Sequence, residues 1–383
     1  MKNILIVHNF YKIPGGEDTV VNNEIELLRN HGHKVYFYNR NNAEIKGLKK
    51  VLIPFIYLFN LRTYFDVKRI IKQKKIDIVH VHNTLSLVSF SVYYAAIQCG
   101  VPVVQTVHNF RFICPGATFY CQGKVCEKCL HGGLKKSIER KCYRDSLLQT
   151  ATVAIVLWIH RQLGIFRKIN YVCLTEFTKN KIKHIAPDER IFVKPNFVYD
   201  YGGDAKEGQY YIFIGRIEEI KGIGLLVKAF EKMPERKLMI VGHGDLDSEV
   251  AQYINENDLC NIFLLGFKNR DEVNVLLKKA KALIMCSQWY ETFGMVIAEA
   301  YSNGVPAIVG NIGNIKNLVI SGVNGEMFEY NSVEALVSAI DRFEANDDVD
   351  YSGNAYSFYK KNLTPEKNYE IMIDIYNKIK DQK

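Results

Sequence analysis

The stretch of sequence with the most chemical content runs from Glu291 to Glu299 and reads Glu-Thr-Phe-Gly-Met-Val-Ile-Ala-Glu. It follows an apolar run and a short polar loop, which predicts a helix that begins near Thr292, soon after a buried strand. Because the first turn of a helix has unpaired N–H groups, this helix would attract a phosphate or a developing anion. Glu291 is then placed to hold sugar hydroxyls, and Glu299 to hold a ribose diol. The alternative is a capping acid and a solvated glutamate on an ordinary helix.

Two cations five positions apart follow another predicted strand. Phe213-Ile214-Gly215-Arg216 ends that strand in a glycine turn, and Lys221-Gly222 comes shortly after it. A departing nucleoside diphosphate gains negative charge, which two fixed cations would stabilise without a metal ion. The alternative is an arginine and a lysine in a surface loop.

Two weaker motifs lie in the first half of the chain. Gly15-Gly16-Glu17 follows the first apolar run, where glycines let backbone amides approach a phosphate or a sugar closely. A plain tight turn is the alternative. Thr106-Val107-His108-Asn109 ends another predicted strand, so His108 lies at the sheet edge where ligands of open α/β sheets bind. There it could bond a sugar or an acceptor, although a lone histidine is more often structural.

Five cysteines crowd into 29 positions: Cys114, Cys121, Cys126, Cys129 and Cys142. The Cys126-Glu127-Lys128-Cys129 spacing is typical of a zinc knuckle, in which thiolates share one tetrahedral ion. Cys114 and Cys142 flank this pair at similar distances, and we choose them as the other two ligands, with Cys121 as the spare. The pattern predicts a structural zinc site that orders a long loop; a redox pair or free thiols are the alternatives.

Short apolar runs alternate with helical patterns along the whole chain. The runs lack strict alternation, which is typical of parallel strands covered on both faces. We therefore predict an α/β fold with two doubly wound parallel sheets. The predicted strands are Ile4–Asn9, Val35–Tyr38, Ile78–Val81, Val103–Val107, Tyr171–Leu174, Ile191–Val193, Tyr211–Ile214, Leu238–Val241, Ile262–Leu265, Ala282–Cys286 and Ala307–Val309.

A polar, glycine-bearing linker over residues 199–208 separates the two sheets. The organisation predicts two Rossmann-like domains facing across a cleft that binds the ligands. Residues 1–198 form the acceptor-binding domain, with the cysteine-rich insertion at about 110–145, and residues 199–363 form the nucleotide-binding domain. Thr364-Pro365-Glu366 is a strong helix start, and we expect the helix 364–383 to rejoin the first domain.

These motifs, in this order and across almost the whole chain, resemble glycosyltransferase family four. The likeness is strongest to bacterial members that build capsule, exopolysaccharide and lipopolysaccharide chains. The resemblance implies the GT-B fold, a nucleotide-sugar donor and transfer with retention of anomeric configuration. Members that resemble this chain also carry a cysteine-rich insertion after the strand-end histidine.

The resemblance further implies roles for individual residues. Arg216 and Lys221 would bind the donor diphosphate, Glu291 the donor sugar and Glu299 the ribose. The remaining donor-binding positions are Gly15, Gly16, Gly215, Phe293 and Gly294. His108 would lie near the sugar, so that His108, Glu291, Arg216 and Lys221 form the catalytic set. The leaving phosphate would help to deprotonate the acceptor, and catalysis would need no cofactor.

One departure from the family pattern concerns the donor-side loop. Many relatives read Gly-Gly-Ile-Pro-Glu where this chain reads Gly313-Asn314-Ile315-Lys316-Asn317. The chain therefore lacks the proline and the glutamate that make the usual sugar or base contacts.

The charge is distributed unevenly along the sequence. Residues 1–195 hold 30 Lys and Arg against 13 Asp and Glu, and the remainder hold 20 against 28. This asymmetry indicates an anionic partner for the first half. Because no nucleic-acid motif accompanies the charge, we expect no nucleic acid and favour an anionic membrane surface. A merely basic surface is the alternative.

A basic, aromatic-rich stretch is the candidate for membrane contact. Lys49-Lys50 precede the apolar run Val51–Leu61, and six cations follow it: Arg62, Lys68, Arg69, Lys72, Lys74 and Lys75. Such a helix can lie on an anionic membrane, or it can pack on the first domain with its charges solvated. The apolar run is shorter than the ~20 residues of a spanning helix. We expect a cytoplasmic protein, peripheral on the inner face of the cell membrane, that acts on a saccharide or lipid-linked saccharide.

The sequence thus predicts a retaining glycosyltransferase, most simply a hexosyltransferase, of cell-surface polysaccharide biosynthesis. One rival is a sugar-nucleotide epimerase with the same fold, and another is a non-catalytic sugar- or lipid-binding scaffold. A Rossmann oxidoreductase is a third, but the chain lacks the three-glycine dinucleotide fingerprint.

Overall fold

The computed structural model describes residues 1–12, 15–47, 49–203 and 208–381. Internal contacts divide the chain into two compact units. The first unit comprises Met1–Phe119, Cys126–Asn196 and Asn368–Lys383, and the second comprises Tyr120–Val125 and Phe197–Lys367. Four residues of the predicted linker, 204–207, and the last two of the predicted C-terminal helix lie outside the described ranges.

The strands up to residue 193 build the sheet of the first unit and one hairpin. They are β1 (Asn3–Phe10), β2 (Lys34–Asn41), β3 (Ile78–Val81), β4 (Val103–Val107), β5 (Tyr120–Cys121), β6 (Lys124–Val125), β7 (Asn170–Cys173) and β8 (Ile191–Val193). In the described residues, six of them form a parallel sheet in the order β2-β1-β3-β4-β7-β8, while β5 and β6 pair antiparallel. Ile4, Leu5, Ile6 and Val7 of β1 are fully buried, as expected for a strand covered on both faces.

Helices connect these strands and cover the sheet. They are α1 (Gly16–Asn30), α2 (Lys49–Leu58), α3 (Leu61–Lys74), α4 (Ser91–Gln98), α5 (Lys128–Gly132), α6 (Lys135–Glu139), α7 (Leu147–Gln162) and α8 (Glu176–Ile182). Side-chain caps fix two of the starts: Asn60 accepts from the backbone N–H of Thr63, and Ser146 from that of Gln149. In the described part of the chain, no helix combines the length and the apolar character needed to cross a bilayer.

The second unit repeats this architecture with a sheet of its own. Its strands are β9 (Tyr210–Ile214), β10 (Leu238–Val241), β11 (Ile262–Gly266), β12 (Ala280–Met285), β13 (Ala307–Gly310) and β14 (Gly325–Phe328). All described pairings are parallel, in the order β11-β10-β9-β12-β13-β14. Its helices are α9 (Ile223–Glu231), α10 (Asp247–Glu256), α11 (Arg270–Leu277), α12 (Met295–Ser302), α13 (Val333–Ala345) and α14 (Tyr351–Asn362).

The last helix, α15 (Pro365–Asp381), contributes most of its length to the first unit. There the Tyr376 hydroxyl lies 2.6 Å from His80 Nδ1, and the Asn368 amide donates to the carbonyl of Pro195 over 2.6 Å. With two parallel sheets, each flanked by helices, the predicted fold class is confirmed.

Candidate active site

In the second unit, the segment between β9 and α9 is held against the end of β12 by a glycine. Gly222 has φ +72°, and an added Cβ would lie 2.0 Å from the carbonyl oxygen of Cys286, so only glycine fits. The backbone N–H of Gln288 also donates to the carbonyl of Ile220 over 2.9 Å. These two contacts place the intervening residue, Lys221, beside the loop that follows β12.

From this position Lys221 reaches Glu291. Its Nζ donates to Glu291 Oε1 over 2.5 Å, and the same oxygen accepts from Ser287 Oγ at 2.8 Å and Trp289 Nε1 at 2.9 Å. The ammonium group also lies 5.3 Å from the centroid of the Trp289 ring, within cation–π range. The structure therefore brings together two of the four predicted catalytic residues, Lys221 and Glu291.

The Glu291 carboxyl group is held in its ionised form although only 11% of the side chain is exposed. Burial alone would raise its pKa. The charge of Lys221 and the hydrogen bonds from Lys221, Ser287 and Trp289 more than offset burial, so the pKa of Glu291 lies below its ordinary value. A fixed carboxylate forms strong hydrogen bonds to hydroxyl groups, which is the chemistry that sugar recognition requires.

Asn314 holds the residues before α12 out of the helix. Its side-chain amide donates to the carbonyl oxygens of Glu291 and Thr292, the latter over 3.0 Å. As a result α12 begins at Met295, after Gly294 in the left-handed region with φ +94°, and the predicted start near Thr292 is wrong by three residues. Phe293 is buried in this turn, so it can offer a ligand its backbone rather than its ring.

Arg216 and Glu299 interact with residues other than Lys221 and Glu291. Arg216 follows Gly215 at the end of β9, and its Nη1 lies 2.6 Å from Glu218 Oε1, with 64% of the arginine side chain exposed. Glu299 lies on α12, where burial raises its pKa against the opposing charge of Arg270. Within the described residues, neither side chain bonds to Lys221 or Glu291.

In the first unit, Gly15 and Gly16 lie at the amino end of α1. An added Cβ at either position would meet no described atom within 4 Å, and neither φ is in the left-handed region. The backbone of this turn is thus open to close approach by a ligand. Asp18 Oδ2 accepts from the N–H of Gly15 over 3.0 Å, and Asp18 Oδ1 lies 2.7 Å from His8 Nε2. Burial, together with the charge of Asp18, raises the pKa of Glu17 to about 8, so Glu17 keeps its proton at neutral pH.

His108 lines a small open pocket in the first unit, together with residues from the ends of β3 and β4. Its Nε2 lies 2.9 Å from His82 Nδ1, and the two rings stack with centroids 5.2 Å apart. Burial is the main cause that lowers the pKa of His108 well below its ordinary value, and nearby positive groups lower it further. His108 is therefore an uncharged hydrogen-bonding group at neutral pH.

Sequence reasoning missed an ion pair inside the first unit. Lys194 Nζ lies 2.6 Å from Glu24 Oε1, and both side chains are 0% exposed. Lys194 also donates to Asn368 Oδ1 over 3.2 Å, which ties α1, the segment after β8 and α15 together. A lysine directly after a short apolar run gives no local signal that its side chain is buried.

The same region holds three groups that could in principle bind a metal ion. The ligand atoms of Glu24, His80 and His82 lie within 4.8 Å of one another. However, His80 Nδ1 lies 2.6 Å from Tyr376 Oη and His80 Nε2 lies 2.7 Å from Thr106 Oγ1, so both nitrogens are engaged. Because the Lys194 ammonium already supplies the positive charge, we interpret the cluster as an internal ionic network.

The four cysteines predicted as metal ligands all lie in the first unit. The side chain of Cys129 is hydrogen-bonded to Cys114 and lies within electrostatic range of Cys126 and Cys142. No disulfide joins any of the nine cysteines, all of which are in the described ranges. Cys121, the spare in our choice, belongs to the β5–β6 hairpin.

Two sequence-family profiles match consecutive parts of the chain. The profile of Glycosyltransferase Family 4 matches residues 14–200, and that of Glycosyl transferases group 1 matches residues 202–357. Between them they span both units, including every predicted donor-binding residue.

Two of three similar proteins are named as glycosyltransferases. An uncharacterized glycosyltransferase of Methanocaldococcus jannaschii is 30% identical over 176 residues, which are 44% of this chain and 48% of that protein. An uncharacterized 42.6 kDa protein in the cps region of Klebsiella pneumoniae is 24% identical over 359 residues, 82% of this chain and 87% of that protein. The UDP-Gal:alpha-D-GlcNAc-diphosphoundecaprenol alpha-1,3-galactosyltransferase of Escherichia coli is 23% identical over 301 residues, 74% of this chain and 70% of that protein. The chain thus spans about half the length of the first of these relatives.

The fold has close counterparts among solved structures. The crystal structure of Anabaena HepE in complex with UDP-glucose superposes with a TM-score of 0.67 over 98% of this chain and 99% of that one, at 16% identity. At this identity the likeness shows the fold alone. The family inferred from the sequence motifs is confirmed: the chain belongs to glycosyltransferase family four and has the GT-B fold.

Proposed function

We propose that the chain transfers a sugar from a nucleotide diphosphate sugar to a saccharide acceptor, with retention of anomeric configuration. The contact between Lys221 and Glu291, close in sequence to the amino end of α12, is the observation that carries this proposal. It joins a cation for the diphosphate to an anion for the sugar. The Escherichia coli relative is named for UDP-Gal, and the Anabaena protein was crystallised with UDP-glucose; both support a donor of this class.

In the proposed reaction the bond between the anomeric carbon and the diphosphate oxygen breaks, and its electron pair stays on the diphosphate. Lys221 and the N–H groups of the first turn of α12 stabilise this charge. The acceptor hydroxyl forms its bond on the same face of the sugar, and its proton passes to the leaving diphosphate. Glu291 holds hydroxyls of the sugar, and His108 donates or accepts a hydrogen bond as a neutral imidazole.

Arg216 joins Lys221 when the donor binds. Its present partner is Glu218, and exposed ion pairs of this kind contribute only about 0–1 kcal/mol. A diphosphate, with two negative groups and bidentate geometry, competes with Glu218 easily. Two cations would then neutralise the leaving group, and for this reason we expect catalysis to proceed without a divalent metal ion.

The first test is donor binding and turnover by the purified full chain. We expect one family of UDP-, GDP-, ADP- or dTDP-sugars to raise the apparent melting temperature, because a ligand that binds only the folded state stabilises it. The matching donor should be hydrolysed slowly without an acceptor, and the Lys221→Ala variant should lose both effects. Lys232→Ala, which removes an exposed ion pair with Glu334, is the matched control and should behave as the wild type.

The rival functions give different products. An epimerase converts the nucleotide sugar to its isomer with no release of nucleotide, and a binding scaffold shows the thermal shift without turnover. Either result would exclude the transferase proposal.

Membrane contact by the first unit is the second part of the proposal. Large apolar side chains are exposed on α2 and at the start of α3: Val51, Leu52, Phe55, Leu61 and Phe65. The helix α7, which packs beside α2, exposes four more: Leu147, Leu148, Ile155 and Trp158. Exposed apolar residues next to the cations of α3 are typical of a surface that inserts shallowly into an anionic bilayer. We therefore favour a lipid-linked saccharide as the acceptor.

Liposome sedimentation tests this surface. Replacing Lys68, Lys72, Lys74 and Lys75 with Gln should weaken binding to anionic vesicles by about 10³-fold, because each cation near such a surface contributes about 1 kcal/mol. The matched control replaces four exposed lysines of the second unit, Lys228, Lys237, Lys279 and Lys361, with the same change in net charge. Equal sedimentation of the two variants, or none by the wild type, would rule out the membrane surface.

A further inference from the structure

The segment between β4 and α7 has an unusual backbone for its length. Its regular elements are short: the two-residue strands β5 and β6 and the five-residue helices α5 and α6. Six of the nine described non-glycine residues with positive φ lie in it, namely Ala117, Phe119, Gln122, Lys141, Arg144 and Asp145. Each such residue costs about 1–2 kcal/mol, so other interactions must hold the segment in this conformation.

A tight turn at Cys114 provides one fixed point. Cys114-Pro115-Gly116-Ala117 closes with a 2.8 Å hydrogen bond from the N–H of Ala117 to the carbonyl of Cys114. The sulfur of Cys114 accepts hydrogen bonds from the backbone N–H groups of Gly116, Ala117 and Phe119. These contacts fix the position of the Cys114 sulfur beside the turn.

This turn contacts each of the other three cysteines. An added Cβ on Gly116 would lie 2.9 Å from the carbonyl oxygen and 3.4 Å from the Cβ of Cys142, so the two segments touch. The N–H of Cys126 donates to the carbonyl of Phe119, two residues after the turn, over 2.7 Å. Cys129 is hydrogen-bonded to the Cys114 sulfur itself and lies within electrostatic range of the other two thiols. Three separate stretches of chain thus place the four cysteines in one neighbourhood.

Two arginines interact with these cysteines. Arg140 donates to Cys126 Sγ over 3.9 Å, and the charge of Arg161 interacts with Cys129. Arg161 also donates to the carbonyl of Phe112 over 2.6 Å, which fixes its guanidinium beside the cysteine-rich segment. A divalent ion with four thiolates carries a net charge of about −2, and these two arginines would offset that charge.

We propose that Cys114, Cys126, Cys129 and Cys142 bind one zinc ion that holds this segment in its strained conformation. Four thiolates fill a tetrahedral coordination sphere, so no position is left for water or substrate and the ion is structural. The absence of disulfides among the nine cysteines fits a site whose ligands must stay reduced. The inference is independent of the transferase proposal, since it concerns the metal content of the folded chain.

Metal analysis of the purified full chain tests the site. We expect about one equivalent of zinc per chain after gel filtration in metal-free buffer. The Cys129→Ser and Cys114→Ser variants should each lose most of it, whereas Cys121→Ser, the matched control, should retain the full equivalent. Because a serine variant can fail to fold, the wild type reconstituted with Co²⁺ gives a second measurement, the strong visible absorption of a tetrahedral tetrathiolate.

Several outcomes would overturn this proposal. The wild type could hold only traces of zinc, or the Cys121→Ser and Cys129→Ser variants could lose equal amounts of zinc. The Co²⁺-reconstituted protein could also show the spectrum of an octahedral site. A disulfide between Cys126 and Cys129 in freshly purified protein would also overturn it. The donor-induced thermal shift is measured on the same preparation, so failure of the zinc site and failure of the transferase proposal can be told apart.

Discussion

Replacing Glu291 with glutamine is expected to lower the rate of sugar transfer by about 10²- to 10³-fold while the protein stays folded. The substitution keeps the shape of the side chain but removes the negative charge that Lys221, Ser287 and Trp289 stabilise on one oxygen. A neutral amide holds hydroxyls of the sugar less firmly as the bond to the diphosphate breaks. Initial rates with saturating donor measure the effect, and melting temperature checks the fold.

A double-mutant cycle with Lys221→Met separates this role from simple packing. If the two residues act as a unit, the double variant should transfer sugar hardly more slowly than the poorer single variant, because effects within a unit are not additive. Glu334→Gln, in the exposed pair with Lys232, also removes one negative charge but at a pair outside the Lys221–Glu291 contact, and it should leave the rate unchanged. A less than threefold loss in Glu291→Gln, or fully additive losses in the cycle, would contradict the proposed roles.

Buried parallel strands were the easiest part of the fold to predict. Ile78–Val81, Val103–Val107 and Leu238–Val241 match the observed bounds residue for residue, because a strand covered on both faces must be apolar along its whole length. β14 was missed because Glu326 interrupts its short run. That glutamate is buried and accepts from the Tyr351 hydroxyl over 2.9 Å, a partner 25 positions away that no local pattern reveals.

The site was predictable where a residue type and its position at a strand end together indicate a role. Lys221 and Glu291, which the structure places in contact, were proposed in this way. Ser287, Trp289 and Asn314 were missed because loops bring them to Glu291, and loop paths are decided by contacts distant in sequence.

Asn314 also explains what the altered donor-side loop does in this chain. Asn314 stands where many relatives have the second glycine of the loop, and its side-chain amide donates to the carbonyl oxygens of Glu291 and Thr292. We propose that the loop acts on the donor by fixing the position of Glu291. This contact also delays the start of α12, which the hydrophobic pattern alone places at Thr292.

Replacing Lys194 with methionine is expected to destabilise the first unit by about 3–5 kcal/mol. The lysine and its partner Glu24 are both fully buried, and a methionine fills similar volume without the charge. Removing one member of such a pair leaves the other as an unpaired charge in a low-dielectric interior, which costs more than the pair ever contributed. The loss also frees Asn368 of α15, so this helix should exchange its amide hydrogens faster.

The cost of the unpaired charge can be separated from the loss of packing. Adding Glu24→Gln to Lys194→Met removes the orphaned carboxylate, so the double variant should regain at least half of the lost free energy of unfolding, as measured by urea denaturation. Lys232→Met, in an exposed pair, should change stability by less than about 0.5 kcal/mol. If the double variant were less stable than Lys194→Met alone, packing rather than charge would govern this site. If Lys194→Met cost no more than Lys232→Met, the pair would not be buried in solution.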